Sequence, residues 1–99
     1  MSRELVKDKK TQRDKPKDKW VVIMYNDEST TMDFVVYVLM NVFNKPFNDA
    51  CTLMLQIHCS DKQVVGIYPE KLANAKRNHA LDLAKQYNQK EFRVEVEQI

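Results

Sequence analysis

The sequence predicts an α+β fold: a single small domain in which a three-stranded, mostly antiparallel sheet packs against three helices. The expected element order is β-α-α-β-α-β, behind a disordered N-terminal arm. Three observations predict it. The run Trp20-Val21-Val22-Ile23-Met24-Tyr25 is β-branched and aromatic, as a strand requires. Three later stretches repeat apolar residues at helical spacing. The C-terminal segment alternates, with Phe92, Val94 and Val96 against Arg93, Glu95 and Glu97. At 99 residues the chain is long enough for one domain and hardly for two.

Residues 1–19 carry eight Lys or Arg and four Asp or Glu and are almost without apolar side chains, so a flexible extension is expected there. Order should begin at Trp20, giving a core over 20–99. The first strand lacks strict alternation, which predicts that both of its faces are at least partly covered. It ends at Asn26-Asp27-Glu28-Ser29, short polar side chains that bond to nearby backbone amides in turns. A helix follows, with Thr30 as the expected cap and Asp33 completing a capping box. Met32, Val35, Val36, Leu39, Met40 and Phe43 form its expected apolar stripe, and Asn44-Lys45-Pro46 stops it.

A second helix is expected from Asn48 to His58 or Cys59, with Cys51, Met54, Leu55 and His58 on one broad side and Ile57 on the adjoining flank. After the turn Ser60-Asp61-Lys62, the run Gln63–Tyr68 reads as a strand, with room for a further short strand near residue 62. Gly66, the chain's one glycine, more often marks a bulge or a close backbone approach in a strand than a binding feature. Pro69 suits the first turn of a third helix over roughly 69–88, where Leu72, Ala75 or Lys76, His79, Ala80, Leu83 and Tyr87 repeat at helical period.

Composition narrows the function classes. A hydrophobic fraction of 43% and a charged fraction of 30% are ordinary for a globular protein. The formal charge of +2 hides a split: 1–19 is net +4 and 20–99 is net −2. A nucleic-acid-binding domain needs a cationic face, so no nucleic-acid partner is expected. The rival reading, a small nucleic-acid- or ribosome-associated α/β domain, would rest on the basic arm and Trp20. No apolar stretch approaches the ~20 residues that cross a bilayer, and no signal-peptide segment opens the chain, so a cytoplasmic protein with no membrane partner is expected. Cys51 and Cys59 then read as reduced thiols.

Two chemistries can be weighed on these residues. Zinc would have to use Cys51, His58, Cys59 and His79, which lack the close ligand pairs of structural sites, so no metal and no cofactor are expected. A Cys–His hydrolase, with Asp27 or Asp82 as third member, has no marked nucleophile and no glycine-rich loop to stabilise an oxyanion. The chain is not expected to be an enzyme. The polar turn at Asn26-Asp27-Glu28 beside an apolar helix start is different. A carboxylate with neutral hydrogen-bonding neighbours next to a dry hollow suits a primary amine that carries an apolar side chain. Periodicity alone does not bring His58 to Asp27.

The stretch Tyr25-Asn26-Asp27-Glu28-Ser29-Thr30-Thr31-Met32-Asp33-Phe34-Val35, then Leu53-Met54-Leu55-Gln56-Ile57-His58, then Val65-Gly66-Ile67-Tyr68, resembles the ClpS family. These are adaptors that deliver N-end-rule substrates to the Clp AAA+ protease. The resemblance implies that Asn26, Asp27 and His58 hold the substrate α-amine and first peptide bond. Met32, Val35, Met54 and Ile57 would wall a pocket for Leu, Phe, Tyr or Trp, with Met32 guarding against β-branched residues and Thr30 at the edge. The implied partner is the N-terminal domain of a ClpA- or ClpC-type unfoldase, met through Lys76 and Lys71 and through the 1–19 arm. Three residues depart from the family pattern: Thr31 where proline is usual, Ser29 where an aromatic is common, and Lys71 where well-known members are acidic.

Overall fold

The computed structural model describes residues 19–99, so the expected arm lies outside the described residues apart from Lys19. Strand β1 is Trp20–Tyr25, followed by helices α1 (Met32–Asn41) and α2 (Phe47–Ser60), strand β2 (Lys62–Tyr68), helix α3 (Glu70–Gln86) and strand β3 (Arg93–Gln98). This is the expected β-α-α-β-α-β order. Strand β1 is central in a sheet of order β2-β1-β3, antiparallel to both neighbours. No separate strand forms near residue 62; Lys62 is simply the first residue of β2.

The two faces of β1 are covered differently. Val22 and Met24 are fully buried in one core with residues from all three helices and from β3. On the opposite face Ile23 is buried outside that core, and Tyr25 lies under the Arg93 guanidinium, 4.0 Å from its ring centre, with the Lys62 ammonium at 5.9 Å. Long side chains from the flanking strands thus cover the Tyr25 ring.

Gly66 sits at an irregularity. Val22 pairs with Gly66 and Ile23 with Val64, so Val65 is the extra residue of a bulge. The bulge turns Val65 into the core, where it is 2% exposed. Gly66 also makes room for a close neighbour: a Cβ there would meet the outer end of the Tyr68 ring, which would have to shift. That ring packs near Phe43 and beneath the Lys76 ammonium.

The helices exist where expected, but their buried faces are rotated from the expected stripes. In α1, Phe34, Val38 and Leu39 enter the core, while Met32 and Met40 are largely exposed. The cap is Thr31, not Thr30: the Thr31 hydroxyl accepts the Phe34 amide at 3.2 Å. In α2, Ala50 and Ile57 are buried, whereas Leu55 is 53% exposed. Pro46 and Pro69 stand at the N-cap positions of α2 and α3, in extended backbone. Helix α3 buries Ala73, Ala80 and Ala84, and leaves Leu72, His79 and Tyr87 exposed. Alanine carries a weak apolar signal in a sequence, yet its small side chain lets a helix lie close against a sheet. The larger residues were the wrong guide to that face.

Candidate functional site

The turn between β1 and α1 is built by Asp27. Its Oδ1 accepts the amides of Ser29 at 2.9 Å and Thr30 at 2.7 Å, with the Ser29 hydroxyl at 3.3 Å. Its Oδ2 accepts the Thr30 hydroxyl at 2.7 Å. Burial pushes the Asp27 carboxyl up, but the Thr30 hydroxyl and the Thr30 and Ser29 amides, with the Ser29 hydroxyl, outweigh burial and hold it below its ordinary value. The group is therefore an anion fixed in direction. A carboxylate offers about four acceptor positions, and Oδ2, with one donor, keeps capacity for another.

The far wall arrives through the backbone. The Asn26 amide donates to the Asp61 carbonyl at 2.7 Å, and Tyr25 pairs with Lys62 across β1 and β2. Asp61 ends α2 in a left-handed conformation, φ 71°. These links dock the C-terminal turn of α2, which carries His58, beside the Asp27 turn. Spacing along the chain could not reveal this, because the connection runs through strand pairing.

Between the two walls lies a cleft of about 290 Å³ lined by Tyr25, Asn26, Asp27, Glu28, Thr30, Met32, Val35, Met54, Ile57 and His58. Asn26, Asp27 and His58 thus share one cavity with Met32, Val35, Met54, Ile57 and Thr30. Tyr25 is a member that sequence reasoning missed, and Glu28 was read as part of the polar turn without being assigned to the site. The signal for both was adjacency: each flanks the Asn26-Asp27 pair. Glu28 adds a second carboxylate, so the polar end favours a cation, while the methionines, Val35 and Ile57 make the remainder apolar.

Other singled-out residues lie elsewhere. Lys71 is exposed on α3. Lys76 is half-buried; its ammonium donates to the Val42 carbonyl at 2.7 Å, at the C-terminal end of α1, and lies 5.3 Å from the Tyr68 ring centre. Cys51 is partly buried, Cys59 is exposed, and neither lines the cleft. Among the described residues no cluster of three or more His, Cys, Asp or Glu could hold a metal ion, and no helix is long and apolar enough to cross a membrane.

Comparison with known proteins places the chain beside one family. A family described as the ATP-dependent Clp protease adaptor protein ClpS matches residues 15–95. The ATP-dependent Clp protease adapter protein ClpS of Campylobacter jejuni (strain 81-176) is 42% identical over 67 residues, covering 68% of this chain and 70% of the relative. That of Acetivibrio thermocellus is 44% identical over 77 residues, covering 77% and 78%. Among solved structures, Agrobacterium tumefaciens ClpS2 bound to L-phenylalaninamide superposes with a TM-score of 0.79 at 25% identity, covering 84% of this chain and 99% of that one.

Proposed function

We propose, from the premise that this chain belongs to the ClpS family, that its cleft captures the free N-terminus of substrates beginning with Leu, Phe, Tyr or Trp. As a ClpS-family protein it is a non-catalytic adaptor that binds substrate N-terminal residues and links them to a Clp AAA+ unfoldase. The observation that carries the cleft reading is the fixed Asp27 carboxylate facing an apolar hollow in a cavity shared with His58.

An α-ammonium brings three donors and one positive charge. Asp27 supplies the counter-charge, and Asn26 and His58 supply further hydrogen bonds to the amine and first peptide bond. Thr30 acts through Asp27, holding Oδ2 with its hydroxyl. The first side chain then enters between Met32, Val35, Met54 and Ile57, where its burial contributes about 1.5–3 kcal/mol. The ligand of the Agrobacterium relative, L-phenylalaninamide, combines the same two features: a primary amine and a large apolar side chain.

The test is fluorescence anisotropy with peptides that differ only at the first residue and its amine. A Leu-starting peptide with a free amine should bind, and its acetylated form should bind far more weakly; equal binding would sink the amine contacts. Met32 stands at the mouth, 46% exposed. Met32→Ala should tighten binding of Ile- and Val-starting peptides by about tenfold, the scale of one or two methylene groups in a pocket. Unchanged discrimination would place the gate on another residue.

The unfoldase surface is proposed on α3. Lys71 is free to make intermolecular contacts, whereas Lys76 contributes with its ammonium already seated on the end of α1. The division into a 1–19 extension that engages the unfoldase and a 20–99 core, and a cytoplasmic location, complete the proposal.

A further inference from the structure

Most ties on the Asn26–Thr31 turn are local or come from the neighbouring strand region: Asp27 to Ser29 and Thr30, Asn26 to Asp61, and Thr31 to Phe34 and Val35. One more comes from 58 residues away. The Thr31 amide donates to Gln89 Oε1 at 3.0 Å. Gln89 lies between α3 and β3 and is itself held at several points. Its side-chain amide donates to the Tyr87 carbonyl at 3.1 Å, its backbone amide to the Ala84 carbonyl at 2.8 Å, and its carbonyl accepts the Phe92 amide at 3.2 Å. It is a braced post and not a loose surface glutamine.

We infer that Gln89 is a positioning residue for the cleft: by holding the Thr31 amide it fixes the angle between the Asp27 turn and the start of α1, and so the distance between the amine-reading carboxylate and the Met32 gate. This rests on the function proposed above. Thr31 is the hinge at which extended turn backbone, φ −74° and ψ 148°, becomes helix. Asp27 lies on one side of it and Met32 on the other. A bound first residue touches both at once, so freedom at this hinge lowers affinity even when every contact residue is present. The bond is exposed, so water can replace Gln89 as acceptor with little change in folding stability. Geometry, not stability, is what the strap supplies.

The test uses the full chain and peptides with free amines. Gln89→Met keeps length without an acceptor and should weaken Leu- and Phe-starting peptides by about three- to tenfold, with the thermal midpoint nearly unchanged. Gln89→Glu keeps the acceptor but gives up the amide bond to the Tyr87 carbonyl, and should still bind more tightly than Gln89→Met. Thr31→Pro removes the amide donor at a φ that proline accepts; in that background Gln89→Met should have no further effect on affinity. Amide exchange at Thr31, read without peptide, should quicken in Gln89→Met. Equal affinity of wild type and Gln89→Met, or an undiminished Gln89→Met effect in the Thr31→Pro chain, would overturn the strap and leave the proposed function standing. Failure of the wild-type chain to bind any free-amine peptide would instead overturn the function and with it the positioning role.

Discussion

Asp27→Asn is expected to weaken binding of a free-amine Leu peptide by roughly 30- to 5,000-fold, the range spanned by about 2–5 kcal/mol for loss of one partner of a desolvated charge pair. Asparagine isolates the charge from the architecture. Its Oδ1 can still accept the Ser29 and Thr30 amides that Asp27 Oδ1 accepts, so the turn should persist. Its amide can donate to Thr30 Oγ1 where the carboxylate now accepts. Anisotropy titration gives the loss, and a thermal melt close to wild type confirms that the fold survived. Acetylated peptide should bind the two proteins alike, since with no amine there is nothing for the charge to read.

The proposed pair of Asp27 with the peptide amine should also set the pH limits. The Asp27 carboxyl is held below its ordinary 3.8 in the folded chain, so its contribution to stability is complete above that value and is lost as pH falls through the lowered one. Affinity should follow the same acid limb, because the counter-charge disappears there. On the alkaline side it should fall as the peptide amine, with an ordinary pKa of about 8, loses its proton. A profile of affinity against pH checks both limbs, and Asp27→Asn should abolish the acid one.

The second large effect is on stability. Leu39→Ala is expected to destabilise the fold by about 2–5 kcal/mol, because Leu39 is fully buried in the core. For a domain of this size that is a fall of roughly 8–40 °C in thermal midpoint. Leu55→Ala should cost less than about 1 kcal/mol, since Leu55 is 53% exposed. Circular dichroism melts of the two variants check the assignment; equal losses would mean that α2 buries the face carrying Leu55.

That contrast marks where the sequence was legible. Both leucines sit in apolar runs at helical spacing, so the helices could be found, but spacing does not say which side faces the sheet. Helix α1 has two apolar sides: Phe34 and Val38 enter the core while Met32 and Val35 line the cleft. Read as one stripe, they conceal the division. Helix α3 hides its core face in alanines, as the burial of Ala73 and Ala80 shows. The cap slipped by one residue for a similar reason. Two threonines stand side by side, and only the structure shows that the Thr30 hydroxyl goes to Asp27 while that of Thr31 caps the helix.

The cleft divides along the same line. Asn26, Asp27, Thr30, Met32 and Val35 lie within ten positions of one another, so a polar turn beside an apolar helix start was visible directly. His58, Met54 and Ile57 join them through the Asn26–Asp61 bond and the β1–β2 pairing, which no local pattern encodes. Only the family resemblance joined His58 to Asp27 beforehand.

The position of β1 has a mechanical consequence. Lys19 enters one end of this middle strand, and the cleft opens beyond Tyr25 at the other, roughly 20 Å away at about 3.3 Å per residue. A pull applied to the chain at Lys19 runs lengthwise along β1. It loads the ladders to β2 and β3 together, and the Ile99 amide that donates to the Lys19 carbonyl shares the strain. Bonds loaded in shear across both flanks must yield as a group, whereas a peeled edge strand gives way one bond at a time. A force entering at Lys19 would therefore meet the paired middle strand before it reached the cleft beyond Tyr25.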